Sequence, residues 1–261
     1  MDKYKSYHQV TTGIEYPIGD LYGYPDSLIR SRTSVAYNYA IDSLINEKHS
    51  SILDFGSGRG HGLRAIKSRL GPTRLTSIDK ESSYIHIAQL PLYSEDNIEF
   101  IVADRLLTLK SNSFDAILCM HVLEHLPNPK VILGDFKRVL KDKGHLIIAT
   151  PDKSHIVASS EHDEYVYNNS ELEELLRKVG FHDLKFSYIN ADKKAWRFHR
   201  RKRWLGKKHP WTVGLRNSRP LLWEALVLRL GISIKQLSAD NFYLSDEYSQ
   251  TTLDLFAVAS K

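Results

Sequence analysis

Short apolar runs alternate with amphipathic stretches from residue 51 onward, and this alternation is the clearest pattern in the chain. The apolar runs predict strands at 51–55, 74–78, 98–102, 114–119, 144–149, 182–188 and 251–258. Apolar residues at helical spacing predict helices near 34–47, 61–70, 82–90, 130–141 and 170–179. Strands and helices that alternate in this way predict an α/β fold, with a parallel sheet covered by helices on both faces.

Three local signals predict where helices begin and end. The glycine in Lys141-Asp142-Lys143-Gly144 predicts that the helix at 130–141 stops there. Ser170, followed by acids, predicts the N-terminal cap of the next helix. Gly180, preceded by a basic residue, predicts its end.

The pattern is interrupted at both ends of the alternating region. Residues 1–32 are rich in tyrosine, glycine and proline, which predicts an irregular N-terminal arm. A long stretch at 190–250 separates the last two predicted strands and predicts an insertion beside the substrate cleft. The core is therefore expected at 33–189 and 251–261.

A glycine turn follows the first predicted strand. Gly56, Gly58 and Gly60 stand at every second position, where the missing Cβ lets the backbone lie against a ligand. The helix that follows would direct free N–H groups at that ligand. The spacing differs from the G-x-G-x-x-G that cradles a pyrophosphate. Asp54 beside the turn would repel a pyrophosphate and attract a cation, such as the amino group of a methionine moiety.

Two further acids end the next two strands. Asp79 lies 23 residues beyond Gly56, close to the spacing of a carboxylate that binds ribose hydroxyls. The alternative is that Asp79 only starts a helix. Asp104 ends the third strand, where any polar residue could also stand.

These residues and one longer segment carry a family resemblance. The D-x-G-x-G-x-G turn at 54–60 and the segment Asn112–Pro127, which contains Ser113-Phe114-Asp115 and Leu123-Glu124-His125, resemble the class I S-adenosylmethionine-dependent methyltransferases. The resemblance covers roughly 33–188 and 251–259. It implies a Rossmann-like, seven-stranded, mostly parallel sheet whose last strand is antiparallel, with S-adenosyl-L-methionine as the cofactor.

The resemblance also implies a set of cofactor-binding residues. Asp79 would bind the ribose, and Asp104 would accept a hydrogen bond from the adenine amino group. Lys80 departs from the family, which usually has an apolar residue there. The predicted cofactor-binding residues are Asp54, Gly56, Ser57, Gly58, Gly60, Asp79, Lys80, Asp104, Arg105 and Met120.

Two details bear on the methyl acceptor. Arg32, Tyr37–Ala40 and His61-Gly62 together resemble methyltransferases of glycan and polysaccharide pathways. The segment Glu161–Tyr165 resembles a loop of the same relatives near the acceptor pocket. We therefore expect O-methylation of a small-molecule or glycan hydroxyl. The alternatives are an RNA methyltransferase and a non-catalytic binding protein with the same fold.

Two histidines are candidates for accepting the acceptor's proton, because an imidazole does so near neutral pH. They are His162 and His125, although His125 could instead make a structural hydrogen bond after the fourth strand. The acids around His162 resemble metal ligands, but four adjacent residues cannot all face one ion, so no metal is predicted.

Basic charge is concentrated in one segment. Residues 193–219 hold eleven Lys or Arg and no acid. The net charge of the whole chain is +5, so the remaining residues together carry a net charge of −6. The segment could be a solvated lid, could lie on an anionic membrane, or could bind nucleic-acid phosphates. An apolar helix predicted at 220–230 favours the membrane, or a lipid-linked, phosphate-bearing acceptor, over nucleic acid.

The remaining composition sets the expected location. The single cysteine, Cys119, lies in an apolar run and predicts a buried thiol in a reducing, cytoplasmic setting. No apolar run reaches the roughly 18 residues that span a bilayer. The first residues do not resemble a signal peptide. Any membrane contact is thus expected to be peripheral, through 196–230 and at the inner face.

Overall fold

The computed structural model describes residues 27–45, 49–60, 62–71, 73–89, 98–155, 165–208 and 237–261. The α-helices are α1 (Ser27–Leu44), α2 (Leu63–Leu70), α3 (Ser82–Ala88), α4 (Pro129–Val139), α5 (Asn169–Val179) and α6 (Lys193–Lys208). The strands are β1 (Ser51–Phe55), β2 (Arg74–Asp79), β3 (Ile98–Val102), β4 (Phe114–Met120), β5 (Leu140–Pro151), β6 (His182–Ala191), β7 (Phe242–Ser245) and β8 (Thr252–Ser260). Short 3₁₀ helices span Leu123–His125, Lys153–His155 and Ala239–Asn241.

The strands form one sheet in the order β3-β2-β1-β4-β5-β8-β6-β7. The pairs β1–β2, β1–β4, β2–β3 and β4–β5 are parallel, and β5–β8 is antiparallel. All five residues of β1 are buried, as expected for a central strand covered on both faces. The predicted mostly parallel fold is confirmed. The described residues form eight strands rather than seven, because β7 lies within the stretch predicted as an insertion.

The predicted helix end at Gly144 is wrong. Helix α4 ends at Val139, and β5 begins at the next residue. The reason is strand pairing: the Ser113 N–H donates to the carbonyl of Val139 at 2.7 Å, and Phe114 pairs with Leu140. The register then shifts before Ala116, which accommodates the irregular stretch at 140–144 within β5.

The predicted cap at Ser170 is also wrong, by two residues. The side chain of Asn168 accepts the N–H of Glu171 at 2.9 Å, and Glu171 accepts the N–H of Asn168 at 2.9 Å. This reciprocal capping box satisfies two donors at the start of α5 and outcompetes a serine inside the helix. At the other end, Gly180 takes the left-handed conformation with φ 94°, which confirms the predicted stop.

The core lies between the central strands and the helices that cover them. Phe55 meets Phe136 of α4 edge to face, with ring centroids 5.0 Å apart. Leu172 and Leu176 of α5 are fully buried in the same cluster. Cys119 belongs to this cluster, and burial raises the pKa of its thiol, which confirms the predicted buried cysteine.

The described residues fall into two compact units. One contains residues up to Val35 and Asn190–Tyr243, and the other contains Ala36–Ile189 and Leu244–Lys261. Helix α6 belongs to the first and carries the first half of the basic segment; Arg200 and Arg201 are exposed, while Phe198 is buried. Most of the predicted N-terminal arm and the predicted helix at 220–230 lie outside the described residues. Within the described ranges, no helix is long and apolar enough to span a membrane.

Candidate functional site

Polar residues collect where the parallel strands end. The carboxyl ends of parallel strands share one edge of a sheet, which is where α/β proteins bind their ligands. The start of the antiparallel strand β8 reaches the same edge, because Asp254 pairs with Pro151 at the end of β5. The polar side chains at this edge are Asp54, Asp79, Asp104, His121, Asp152 and Asp254.

The turn after β1 requires its glycines. Gly56, Gly58 and Gly60 have φ angles of 72°, 56° and 80°, in the region that favours glycine. The N–H of Gly56 donates to the carbonyl of Ile78 at 2.7 Å. A Cβ on Gly56 would lie 2.3 Å from Cγ2 of Val122, so the turn packs directly against the segment that follows β4.

Asp79 is held by the backbone around it. Its Oδ2 accepts the N–H of Gly58 at 2.8 Å, and its Oδ1 accepts the N–H of Glu81 at 2.9 Å. A carboxylate has about four acceptor positions, so two more hydrogen bonds can still be accepted. The geometry therefore fits a carboxylate that binds two neighbouring ribose hydroxyls.

Asp54 is fully buried, and the hydroxyl of Tyr37 lies 3.0 Å from both of its carboxylate oxygens. Burial raises the pKa of Asp54 to about 7. The hydrogen bond from Tyr37 lowers this pKa, and the charge of Asp79 raises it further. Gly62 makes room for Tyr37, since a Cβ there would lie 2.1 Å from the tyrosine ring. The structure thus brings together Tyr37 and Gly62, two parts of the motif that the sequence singled out.

The other predicted cofactor residues have varied surroundings. Lys80 and Asp104 are exposed, and Met120 is buried at the end of β4. The Ser57 hydroxyl is 2.7 Å from that of Ser77, so it is already used within the fold. Arg105 forms a 2.6 Å ion pair with Asp135 of α4, which raises the pKa of the arginine. We call Tyr37, the turn at 54–60 and Asp79 the cofactor side.

A second group follows β4 and was not predicted. His121 has a φ of 56°, unusual for a residue with a Cβ, and its N–H donates to the carbonyl of Ala149 at 2.7 Å. Its Nδ1 is 3.8 Å from Oε1 of Glu124 and 3.8 Å from Oδ1 of Asp254. Its Nε2 is buried and has no hydrogen-bond partner within the described part of the chain.

Glu124 connects this group to β5. Its side chain is 3% exposed, and its Oε2 accepts the hydroxyl of Thr150 at 3.0 Å. His125, a predicted catalytic residue, is 41% exposed, with Nε2 4.0 Å from Oε1 of Glu124. The other predicted catalytic residue, His162, lies outside the described residues, as do Glu161, Asp163, Glu164 and His61.

A buried acid and two tyrosines lie at the end of β5. Asp152 accepts the N–H of Ser154 at 2.9 Å and the hydroxyl of Tyr248 at 3.3 Å. The ring of Tyr188 meets that of Tyr248 edge to face at 5.4 Å. Burial raises the pKa of both tyrosines. We call His121, Glu124, Asp152 and Asp254 the acceptor side.

The sequence analysis assigned no role to any of these four residues, although each left a signal. Asp254 interrupts the apolar run of the last strand, and His121 and Asp152 directly follow apolar strands. His121 and Glu124 both lie within the recognised segment Asn112–Pro127. Among the residues that the structure describes, no cluster of His, Cys, Asp and Glu could hold a metal ion.

Comparison with protein families matches residues 32–201, well over half of the chain, to the model of a methyltransferase domain. The curated ubiquinone biosynthesis O-methyltransferase of Xanthomonas oryzae is 30% identical over 129 residues, which cover 48% of this chain and 53% of that protein. Its counterpart from Pseudomonas fluorescens is 33% identical over 113 residues, or 42% of this chain and 48% of that protein. The chain thus spans about half the length of the curated relatives it matches.

Solved structures share the fold. A SAM-dependent methyltransferase from Thermotoga maritima has a TM-score of 0.58 at 16% identity and covers 90% of this chain and 91% of its own. The [4+2]-cyclase SpnF has a TM-score of 0.58 at 20% identity and covers 86% of this chain and 80% of its own. These likenesses concern the fold, and the second shows that the fold also supports other chemistry.

Proposed function

The chain belongs to the class I S-adenosylmethionine-dependent methyltransferases, and we propose that it methylates a hydroxyl of a small-molecule or glycan acceptor. The bound cofactor supplies an electrophilic methyl carbon on a sulfonium. The protein's task is then to hold the acceptor in line with that carbon and to accept the hydroxyl proton.

The cofactor side carries the first half of the proposal. Within the described residues, and apart from its two chain neighbours, a Cβ on Gly58 would have no other atom within 4 Å, so the turn is open at that position. Asp79 has acceptor positions left for ribose hydroxyls. The buried carboxylate of Asp54 suits the cationic amino group of a methionine moiety, because an opposite charge would favour its ionised form. We propose that these residues, with Asp104 at the adenine, bind S-adenosylmethionine.

The acceptor side supplies groups that an O-methylation needs. A hydroxyl must lose a proton on methylation, and this side presents imidazole and carboxylate groups to accept it. The relatives named O-methyltransferases agree with a hydroxyl acceptor but match only half of their length. His125 and His162 are the proton acceptors predicted from the sequence, and the structure adds His121 as a third candidate.

The exposed arginines of α6 support a second, separate proposal: contact with an anionic surface through Arg200 and Arg201. Replacing both by Gln should reduce flotation with phosphatidylserine vesicles, because each base contributes on the order of 1 kcal/mol to such binding. Loss of RNA retention with unchanged flotation would instead favour the RNA-methyltransferase alternative.

Transfer of a labelled methyl group tests the proposed function. The acceptors are 3,4-dihydroxybenzoate and methyl glucoside. Each is paired with an analogue that carries amino groups in place of its hydroxyl groups. We expect label on at least one hydroxyl compound and none with Asp79→Ala. Label only on the amines would contradict O-methylation. If no label appears on any of these compounds or on a panel of cell extracts added as further acceptors, the non-catalytic alternative is favoured.

A further inference from the structure

We propose that His121, rather than His125 or His162, accepts the proton of the acceptor hydroxyl through its Nε2, with Glu124 and Asp254 orienting the imidazole through Nδ1. This inference rests on the proposed O-methylation. It assigns a residue and an atom to the proton transfer that the reaction requires.

The backbone places His121 next to the cofactor side. The next residue, Val122, packs against Gly56, the first glycine of the turn. The N–H of His121 donates a hydrogen bond to the carbonyl of Ala149 in β5. The φ of 56° costs free energy for a residue with a Cβ, and such conformations persist where the surrounding structure enforces them, often at functional sites. The chain thus holds this side chain at the carboxyl edge, between β1 and β5, in a conformation it would not adopt by itself.

The two carboxylates decide which ring nitrogen carries the proton. Both Oε1 of Glu124 and Oδ1 of Asp254 face Nδ1 at 3.8 Å, and both favour a proton on that nitrogen. The distance exceeds that of a hydrogen bond, but catalytic hydrogen bonds are often long before the substrate is bound. A proton on Nδ1 leaves Nε2 with a lone pair.

The free nitrogen is the observation that the fold alone does not explain. Nε2 of His121 is buried without a hydrogen-bond partner in the described structure, whereas buried polar atoms are normally paired. An acceptor hydroxyl that donates to Nε2 would supply the missing partner. His125 has the opposite arrangement, since its Nε2 faces Glu124 and its side chain is far more exposed.

Methyl transfer and proton transfer take place at the same hydroxyl group. The hydroxyl oxygen forms a bond to the methyl carbon while the carbon–sulfur bond breaks, and that bond's electron pair goes to sulfur. The hydroxyl proton moves to Nε2 of His121. The resulting imidazolium faces the carboxylates of Glu124 and Asp254, while Thr150 holds the other oxygen of Glu124.

The first test measures the tautomer and needs no turnover. Nitrogen-15 NMR of the histidine rings, with His121 assigned by comparison with His121→Gln, should show Nδ1–H and an unprotonated Nε2 at neutral pH. Asp254→Asn should increase the share of the other tautomer. A wild-type ring protonated on Nε2 would overturn the proposal, whatever the activity.

The second test measures methylation of a hydroxyl acceptor by three variants: His121→Gln, His125→Gln and His182→Gln. His121→Gln should lower kcat by about 100-fold or more, the range of general-base contributions, while S-adenosylmethionine affinity by calorimetry stays within about threefold. His182→Gln, at an exposed position on β6, is the matched control and should keep wild-type kcat.

The outcomes separate the two proposals. Hydroxyl methylation that His121→Gln retains and His125→Gln loses would overturn the role of His121 and leave the proposed function intact. Methylation of amines alone would overturn the proposed function, and the inferred proton transfer with it.

Discussion

The cofactor side and the acceptor side lie on the same edge of the sheet but are built in different ways. The residues of the cofactor side lie at most 42 positions apart, from Tyr37 to Asp79. The backbone fixes them: the N–H of Gly56 donates to β2, and Asp79 accepts two backbone N–H groups. The acceptor side draws His121, Asp152 and Asp254 from three strand ends up to 133 positions apart. Within the part of the chain that the structure describes, Nε2 of its His121 has no hydrogen-bond partner.

The two sides should therefore respond differently to substitution. Residues of the cofactor side are constrained by each other, so a substitution there should disturb folding and cofactor binding together. Residues of the acceptor side are held by separate strands, so a substitution there should change turnover and leave cofactor affinity in place.

Gly56→Ala should have the largest effect. The left-handed φ costs about 1–2 kcal/mol for a residue with a Cβ, and the collision with Val122 adds roughly 1–3 kcal/mol. We expect the free energy of unfolding, measured with urea, to fall by the sum of these costs. Cofactor affinity should fall as well.

The double variant Gly56→Ala/Val122→Ala sharpens this prediction. Removing the two methyl groups of Val122 relieves the collision but not the backbone strain, so part of the loss should return. Equal free energies of unfolding of the single and double variants would show that the collision with Val122 does not destabilise Gly56→Ala.

Asp54→Asn should change how stability depends on pH. The folded state raises the pKa of Asp54 from 3.8 to about 7, so its contribution to stability is complete below about pH 4 and is lost as the pH rises toward 7. Between about pH 5 and pH 7 the free energy of unfolding of the wild type should fall by on the order of 2–3 kcal/mol, and that of the variant should not. Urea unfolding at the two pH values measures the difference, and parallel pH profiles would contradict it.

Asp254→Asn tests the other side. This buried carboxylate faces His121, so its loss should lower kcat by about 10- to 100-fold, while the affinity for S-adenosylmethionine stays unchanged. Steady-state kinetics with a hydroxyl acceptor and calorimetry check the two parts separately. Cofactor affinity that falls in step with kcat would break the distinction between the two sides.

Gly134→Ala should have the smallest effect and serves as a control outside both sides. Gly134 lies inside α4, and beyond the neighbouring backbone of that helix a Cβ there would meet no atom of the described residues within 4 Å. Alanine should stabilise the helix by roughly 0.5–1 kcal/mol, seen in urea unfolding. Cofactor affinity should not change; a loss of stability would mean that α4 is packed differently around this position.

The sequence predicted the fold well, because strands and turns leave local signals, while the residues of the cofactor side stay a prediction. Strands β1 and β3 have the predicted bounds, since apolar runs and turns are encoded by neighbouring residues. The stop at Gly144 failed because pairing of Phe114 with Leu140 overrode a local signal. His121 and Asp254 were missed because only the antiparallel insertion of β8 beside β5 brings them together, and no local pattern encodes that contact.

Calorimetric titration of S-adenosylmethionine into the wild type, Asp79→Ala and Gly134→Ala tests whether the cofactor side binds this cofactor. Circular dichroism checks that each variant is folded. Hydrogen bonds to a charged group contribute about 1.5–3 kcal/mol each, so loss of the Asp79 carboxylate, which we propose binds the ribose, should weaken binding by about 100-fold or more. We predict binding by the wild type and Gly134→Ala with equal affinity, and this large loss in Asp79→Ala. Equal affinity of a folded Asp79→Ala and the wild type would contradict the assignment of the cofactor side.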